Sequence, residues 1–180
     1  MANLRIGDKI MPFDLMGVDD QQHSLSDFAE KSAIAIIFSC NHCPYVRAWE
    51  DRMVKIQRDY SEKNVQLIAI NANDASKFPD DSFEKMKERA KEKQFNFPYL
   101  RDETQEIAGS YGATRTPEVF LFDNAGFLRY HGPIDDNYDD PNSVGIHYLR
   151  NALDAVISGR PVAITEISPV GCSVKLRQTP

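Results

Sequence analysis

Phe38-Ser39-Cys40-Asn41-His42-Cys43-Pro44-Tyr45 contains two cysteines that are separated by two residues. The segment follows an unbroken apolar run, residues 33–38, and precedes a stretch in which apolar residues recur at steps of three and four: Val46, Trp49, Met53, Ile56 and Tyr60. This pattern predicts a buried strand that leads into an amphipathic helix, with a dithiol at the junction. Unpaired backbone N–H groups and the helix dipole stabilise a thiolate there, so we expect one cysteine to be a nucleophile with a lowered pKa.

A zinc site and a static disulfide are weaker interpretations of the cysteine pair. A structural zinc site needs four ligands, and the chain offers only one further cysteine, Cys172. A static disulfide is disfavoured because three cysteines is an odd number and no secretory signal is recognisable. Neither interpretation accounts for the position of the pair where a strand meets a helix. We therefore predict a redox site that holds no metal.

Composition and charge fit one enzyme-sized domain over residues 1–180. The sequence is 42% hydrophobic, which is enough for one substantial core, and no break in composition divides it. The net charge is -6 and basic residues are scattered among acidic ones, so nucleic acid is not an expected partner. No apolar run is long enough to cross a bilayer. We expect a cytoplasmic protein without a membrane partner.

Apolar patterns and turn residues predict the order of the remaining elements. We expect one hairpin over residues 10–15 and 23–25, and a second over residues 118–122 and 127–131. Residues 65–70 are expected to form a buried parallel strand. Three further helices are expected: residues 81–93, residues 104–111, and a last long helix that Ser143 caps and Gly159 ends. This order predicts an α/β fold, in which a mixed central sheet carries helices on both faces.

Three stretches carry a resemblance to a known family: Cys40-Asn41-His42-Cys43-Pro44-Tyr45-Val46, Gly132-Pro133-Ile134-Asp135-Asp136, and Pro169-Val170-Gly171-Cys172-Ser173-Val174-Lys175. The chain resembles the thioredoxin superfamily, and within it the redoxin (AhpC/TSA-like) branch that includes thiol-disulfide oxidoreductases. The resemblance covers nearly the whole chain and implies a thioredoxin-like three-layer sandwich with an N-terminal hairpin extension. Its motif is specific for fold and redox class, and much less specific for substrate.

The resemblance implies roles for four positions. Cys40 matches the family's attacking thiolate, and Cys43 matches the thiol that resolves the mixed disulfide. Thr116 and Pro117 match the loop in which a cis-proline faces the two cysteines and leaves the preceding backbone free to pair with an extended substrate. A trans proline that opens a strand is the alternative that the sequence pattern alone leaves open.

Asn41 and His42 lie between the cysteines and are candidates for tuning them. His42 can add positive charge or a hydrogen bond near the Cys40 sulfur, which stabilises the thiolate. We therefore expect a disulfide that is more oxidising than that of a thioredoxin. A solvent-facing histidine with little effect is the alternative.

The sequence departs from two related patterns. Thioredoxins place a buried acid six residues before the first cysteine, where this chain has Ile34, so proton transfer is expected to use water, His42 or Glu118. Thiol peroxidases place a proline and a threonine or serine ahead of their reactive cysteine, where this chain has Ala33 and Ile37. A specialised peroxide pocket is therefore not expected.

Three functions are compatible with these motifs. The favoured one is a thiol-disulfide oxidoreductase that acts on protein disulfides, draws electrons from a thiol reductant and uses no cofactor. The second is a thiol-dependent peroxidase. The third is a carrier of copper(I), similar to the Sco-type chaperones of the same fold, although those proteins space their cysteines one residue further apart. The sequence does not indicate an oligomeric state.

Three further segments carry weaker signals. Residues 95–99 are expected to be core residues that lead into a turn. The acidic stretch 135–140 lacks EF-hand spacing and is expected to be a solvated loop that caps the last helix. Residues 160–180 are expected to form an extended tail that packs on the domain. In it, Cys172 is expected to fill a small apolar gap and to stay reduced during the Cys40/Cys43 cycle.

Overall fold

A seven-stranded mixed sheet lies at the centre of the computed structural model, which describes residues 4–177. The strands are β1 Asp14–Gly17, β2 Gln22–Ser24, β3 Ala33–Phe38, β4 Val65–Asn71, β5 Tyr99–Arg101, β6 Arg115–Thr116, β7 Glu118–Asp123, β8 Leu128–Gly132 and β9 Cys172–Ser173. The α-helices are α1 Pro44–Tyr60, α2 Phe83–Glu92, α3 Glu106–Tyr111 and α4 Tyr148–Ile157. The order in the main sheet is β2-β1-β5-β4-β3-β7-β8, and β6 and β9 form a separate two-stranded ribbon. Within the described residues, no helix has the length and apolarity that a membrane span requires.

The strand before the cysteine pair lies in the middle of this sheet. All six residues of β3 are buried, and the strand runs parallel to β4 and antiparallel to β7. Successive side chains point to opposite faces, so a strand covered on both sides needs a continuous apolar run. Ala35 and Ile37 belong to the core on one face, with residues of α1, α2 and α4. Ile36 and Phe38 belong to the core on the other face, with residues of α3. The predicted mixed sheet with helices on both faces is thus confirmed.

The N-terminal hairpin is present, but its first strand begins later than predicted. β1 and β2 pair from Asp14 opposite Ser24 to Met16 opposite Gln22, whereas the sequence pattern placed the first strand at residues 10–15. The preceding residues pair with another part of the chain, because Lys9 forms a bridge with Phe127. The residues before Asp14 therefore pair with a distant segment, and not with the second strand of the hairpin as the local pattern indicated.

The start of the last helix was also predicted wrongly. Ser143 ends a short 3₁₀ helix, Pro141–Ser143, and α4 begins five residues later at Tyr148. The intervening backbone bonds to the loop after β8 instead: Gly145 N donates to Asp136 Oδ1 at 2.9 Å, and Asp136 N donates to the Ile146 carbonyl at 3.1 Å. These bonds hold the segment out of a helical path.

Two short strand pairings were not expected from the sequence. β5 has only three residues, and the sequence pattern placed its first residue, Tyr99, in a segment leading to a turn. In the structure, β5 pairs parallel with β4 and antiparallel with β1. The β6/β9 ribbon has two residues in each strand, and it joins Arg115 and Thr116 to Ser173 and Cys172. Segments of two or three residues are too short to show a recognisable periodicity, and their partners lie far away in the chain.

The acidic loop after β8 is anchored to the cysteine-bearing helix rather than fully solvated. Asp135 is 3% exposed and accepts hydrogen bonds from Trp49 Nε1 at 2.8 Å and from Arg52 Nη1 at 2.7 Å, both on α1. Arg52 Nη2 also donates to the Tyr138 carbonyl at 2.8 Å. The expectation of a solvated loop is therefore wrong for Asp135, which fixes the loop against α1.

We expect Asp135→Ala to lower the free energy of unfolding by about 3 kcal/mol, because it leaves a largely buried guanidinium without its carboxylate partner. Urea denaturation measures this change. Asp139→Ala is the matched control, since Asp139 is an exposed carboxylate in the same loop, and we expect a change within about 0.5 kcal/mol. Equal losses in the two variants would contradict the anchoring role of Asp135.

Candidate active site

The cysteine pair lies where β3 passes into α1. Cys43 is the N-cap residue of α1 and Pro44 occupies the first helical position, where a missing N–H costs little. Both thiols are free, and the residues are almost fully buried, Cys40 at 1% and Cys43 at 0% exposure. A reduced, water-excluded dithiol thus stands at the positive end of a 17-residue helix.

The two thiols have pKa values that are displaced in opposite directions. Interaction with the Cys43 sulfur, burial and the nearby negative Asp81 raise the pKa of the Cys40 thiol far above its usual range. Interactions with the Cys40 and Cys172 sulfurs and with the Val46 backbone N–H outweigh burial and lower the pKa of Cys43.

A buried carboxylate that the sequence analysis did not identify lies beside the pair. Asp81 has 0% exposure and ends a short 3₁₀ helix, Pro79–Asp81, just before α2. Its oxygens accept hydrogen bonds from four donors: Asn41 N at 2.6 Å, His42 Nδ1 at 2.5 Å, Asn71 Nδ2 at 3.2 Å and Asn73 Nδ2 at 2.8 Å. Ligand-type atoms of Cys40, His42 and Asp81 all lie within 4.8 Å of one another. The sequence suggested only that residue 81 begins a helix with a solvated outer side.

His42 is oriented by its neighbours rather than free in solvent. Its ring stacks on Phe78, with centroids 5.4 Å apart, and its Nδ1 is bonded to Asp81. The side chain is 24% exposed. The expected oxidising effect of His42 stays a prediction, and the structure adds the opposing charge of Asp81 next to it. The charge of Asp81 acts on Cys40 in the direction opposite to the effect expected of His42.

Asn41 joins the cysteine loop to the sheet. Its Oδ1 accepts a hydrogen bond from the Tyr99 hydroxyl at 2.8 Å, and its Nδ2 donates to the Asp80 carbonyl at 2.7 Å. The residue is 4% exposed, so it has no free surface for a partner. Its contacts hold the backbone that carries Cys40 in place.

The Thr116–Pro117 loop faces the pair, as the resemblance predicted, and its peptide bond is cis. Thr116 Oγ1 lies 3.4 Å from Cys40 Sγ, and the Thr116 carbonyl oxygen lies 3.3 Å from Cys43 Sγ. Glu118 holds this loop, because its Oε2 accepts bonds from the backbone N–H groups of Thr114 and Arg115, each at 2.7 Å. Its Oε1 is bonded to His131 Nε2 at 2.7 Å. Both oxygens of Glu118 are thus engaged away from the thiols, whereas Asp81 is the buried acid next to Cys40.

The chain is similar to redox proteins and to structures without an assigned activity. The model of the AhpC/TSA family matches residues 6–131. A hypothetical protein from Sinorhizobium meliloti 1021 is 32% identical, with a TM-score of 0.93 over 99% of this chain and 98% of that one. An uncharacterized conserved protein from Geobacillus kaustophilus is 40% identical, with a TM-score of 0.91 over 98% of this chain and 94% of that one.

A more distant structure shows the fold alone. The thioredoxin domain of a thiol-disulfide oxidoreductase from Bacteroides vulgatus is 18% identical, with a TM-score of 0.60 over 70% of this chain and 86% of that one. No curated protein matches the sequence. The comparisons agree with the thioredoxin-like topology and with a redox family.

We expect Asp81→Asn to lower the pKa of Cys40, because the substitution removes a negative charge that destabilises the Cys40 thiolate. The change is best made in a Cys43→Ser background, where Cys40 titrates without a coupled thiol. The measurement is the pH dependence of Cys40 alkylation, resolved by mass spectrometry, with circular dichroism as a check of folding.

Asp80→Asn in the same background is the matched control, since residue 80 is exposed and contributes only its carbonyl to the site. Its alkylation midpoint should not move. A midpoint for Asp81→Asn that is unchanged or higher than in the parent would show that Asp81 does not act on Cys40 by charge.

Proposed function

The chain belongs to the AhpC/TSA family, and we propose that it is a thiol-disulfide oxidoreductase that cycles Cys40 and Cys43 between dithiol and disulfide on protein substrates. The observation that carries this proposal is the buried, free dithiol at the start of α1, whose two sulfurs both lie against Thr116 of the Thr116–Pro117 loop. The family and the fold support a redox role at a coarser level. We also propose the cytoplasm as the site of action, because three cysteines, an odd number, do not suit the static disulfides that are typical of secreted proteins.

The proposed first step is attack by the Cys40 sulfur on a partner disulfide. The Cys40 proton passes to Cys43 as the new bond forms, in keeping with the opposite directions of the two pKa shifts. One partner sulfur leaves as a thiolate, and the other is held in a mixed disulfide with Cys40.

In the second step Cys43 attacks the Cys40 sulfur of the mixed disulfide and gives its proton to the second partner sulfur. The Cys40–Cys43 disulfide forms, and the second partner sulfur leaves. The partner gains two electrons and the dithiol loses two. A thiol reductant returns the pair to its reduced form, so no organic cofactor is needed.

A peroxidase activity is the less favoured alternative. The positions that carry proline and a hydroxyl residue in thiol peroxidases are Ala33 and Ile37, and both are fully buried in β3. Neither side chain can donate a hydrogen bond to a peroxide.

Copper(I) transport is a second alternative, favoured by the cluster of Cys40, His42 and Asp81. Against it, Asp81 already accepts four hydrogen bonds, and His42 Nδ1 is one of their donors. Metal analysis of protein purified without added copper separates the two functions. Stoichiometric copper would favour the carrier, and its absence together with disulfide reduction would favour the enzyme.

Substitution of the two cysteines should have different effects. We expect Cys40→Ser to abolish reduction of a protein disulfide such as that of insulin, because no attacking sulfur remains. Cys43→Ser should still attack but not resolve, so it should accumulate mixed disulfides with its partners. Non-reducing gels and mass spectrometry of both variants measure this. If Cys40→Ser traps partners and Cys43→Ser does not, the two roles are reversed.

A further inference from the structure

The C-terminal segment lies against the loop that faces the cysteine pair. β9 runs antiparallel to β6, so that Cys172 stands opposite Thr116. Val174 N donates to the Thr114 carbonyl at 3.0 Å, which extends the same pairing by one more bond. The tail therefore occupies the backbone edge next to Pro117 in the manner of an extended peptide.

A glycine allows this close approach. A Cβ added at Gly171 would stand 2.2 Å from the Thr116 carbonyl oxygen, well inside any normal contact distance. The residue before Cys172 must consequently lack a side chain for β9 to reach its place. Glycine at position 171 is thus required for Cys172 to lie opposite Thr116.

The Cys172 side chain lies beside the cysteine pair, where it packs against the cluster formed by Cys40, Cys43 and Val46. The tail thus brings a third thiol to the two at the junction of β3 and α1. Cys172 is half-buried, whereas both residues of the CxxC pair are almost completely covered.

We propose that Cys172 is a third redox-active thiol, which exchanges with the Cys40–Cys43 disulfide to form a Cys43–Cys172 disulfide. The Cys172 thiolate attacks Cys43 Sγ, the Cys43–Cys172 bond forms, and the Cys40–Cys43 bond breaks. Cys40 leaves as a thiolate and takes up the proton that Cys172 gave up. The number of disulfides is unchanged, so the step needs no further oxidant or reductant.

This exchange rests on the proposed function, because it begins from the oxidised pair. It moves the disulfide from a covered position to one that a thiol reductant can reach, and it returns Cys40 to the thiol form. It also replaces the expectation that Cys172 only fills an apolar gap and stays reduced.

The electrostatics of the tail fit a thiol that becomes reactive after oxidation. In the reduced protein, burial and interaction with the Cys43 sulfur raise the pKa of Cys172 to about 11. Oxidation of Cys43 removes the second of these two contributions. Lys175 and Arg115 remain, and both favour the Cys172 thiolate.

The test is disulfide mapping of the full chain. The protein is equilibrated in a glutathione redox buffer, free thiols are blocked with a maleimide at low pH, and tryptic peptides are analysed by mass spectrometry. Cys40 and Cys43 share the peptide of residues 32–47, and Cys172 lies in the peptide of residues 151–175. We expect a linked pair of these peptides from the wild type, and the same linked pair from Cys40→Ser.

The linked pair should be lost in Cys43→Ser, where Cys172 has no oxidised partner within reach. The proposal is overturned if the wild type shows an internal disulfide in the peptide of residues 32–47 with Cys172 blocked by the maleimide, and Cys40→Ser shows only glutathione adducts. That result would leave the proposed oxidoreductase function intact. If no disulfide forms in the wild type at all, both proposals fail.

Gly171→Ala is a second test, at a residue outside the redox machinery. The added methyl group forces β9 away from Thr116. We expect the linked peptides to be lost, while the peptide of residues 32–47 still forms its internal disulfide. An unchanged fraction of linked peptides would show that the β6/β9 pairing does not deliver Cys172 to Cys43.

Discussion

Asp81 places a negative charge with no exposed surface next to the Cys40 sulfur, and such a charge costs several kcal/mol unless hydrogen bonds surround it. The four donors that surround it come from the cysteine loop and from the end of β4. Solvating one carboxylate therefore draws the loop, the sheet and the segment before α2 together. The same charge disfavours a second negative charge at Cys40 and so raises the pKa of that thiol.

Elements with a strong pattern of their own were predictable from the sequence. The strands β3 and β4 appear in the sequence as continuous apolar runs, and α1 appears as apolar residues at steps of three and four. Each of these local patterns indicates a buried element. The fold class followed, because a buried strand, a crossover helix and a second buried strand allow few arrangements. The dithiol was recognisable for the same reason, as its position at a strand-to-helix junction is a local property.

Features that depend on distant partners were not predictable in this way. Asp81 reads as a surface residue at the start of a charged helix, and only the packing of the segment before α2 against the cysteine loop buries it. Ser143 looks like a helix cap until the bonds between the segment after it and Asp136 are known. The alternating apolar residues of the tail indicated an extended conformation, yet nothing local could specify that Cys172 lies opposite Thr116.

β9 occupies the backbone edge on β6 that an extended substrate would use if it paired beside Pro117, as the proposed function suggests. Because the tail is covalently attached, its effective concentration at this edge does not depend on how much protein is present. A partner that needed the edge would bind only the fraction of molecules from which the tail had left, so its apparent dissociation constant would be the intrinsic value divided by that fraction. Under the proposed function, proteins that make additional contacts elsewhere on the surface would therefore be favoured over peptides that offer backbone pairing alone.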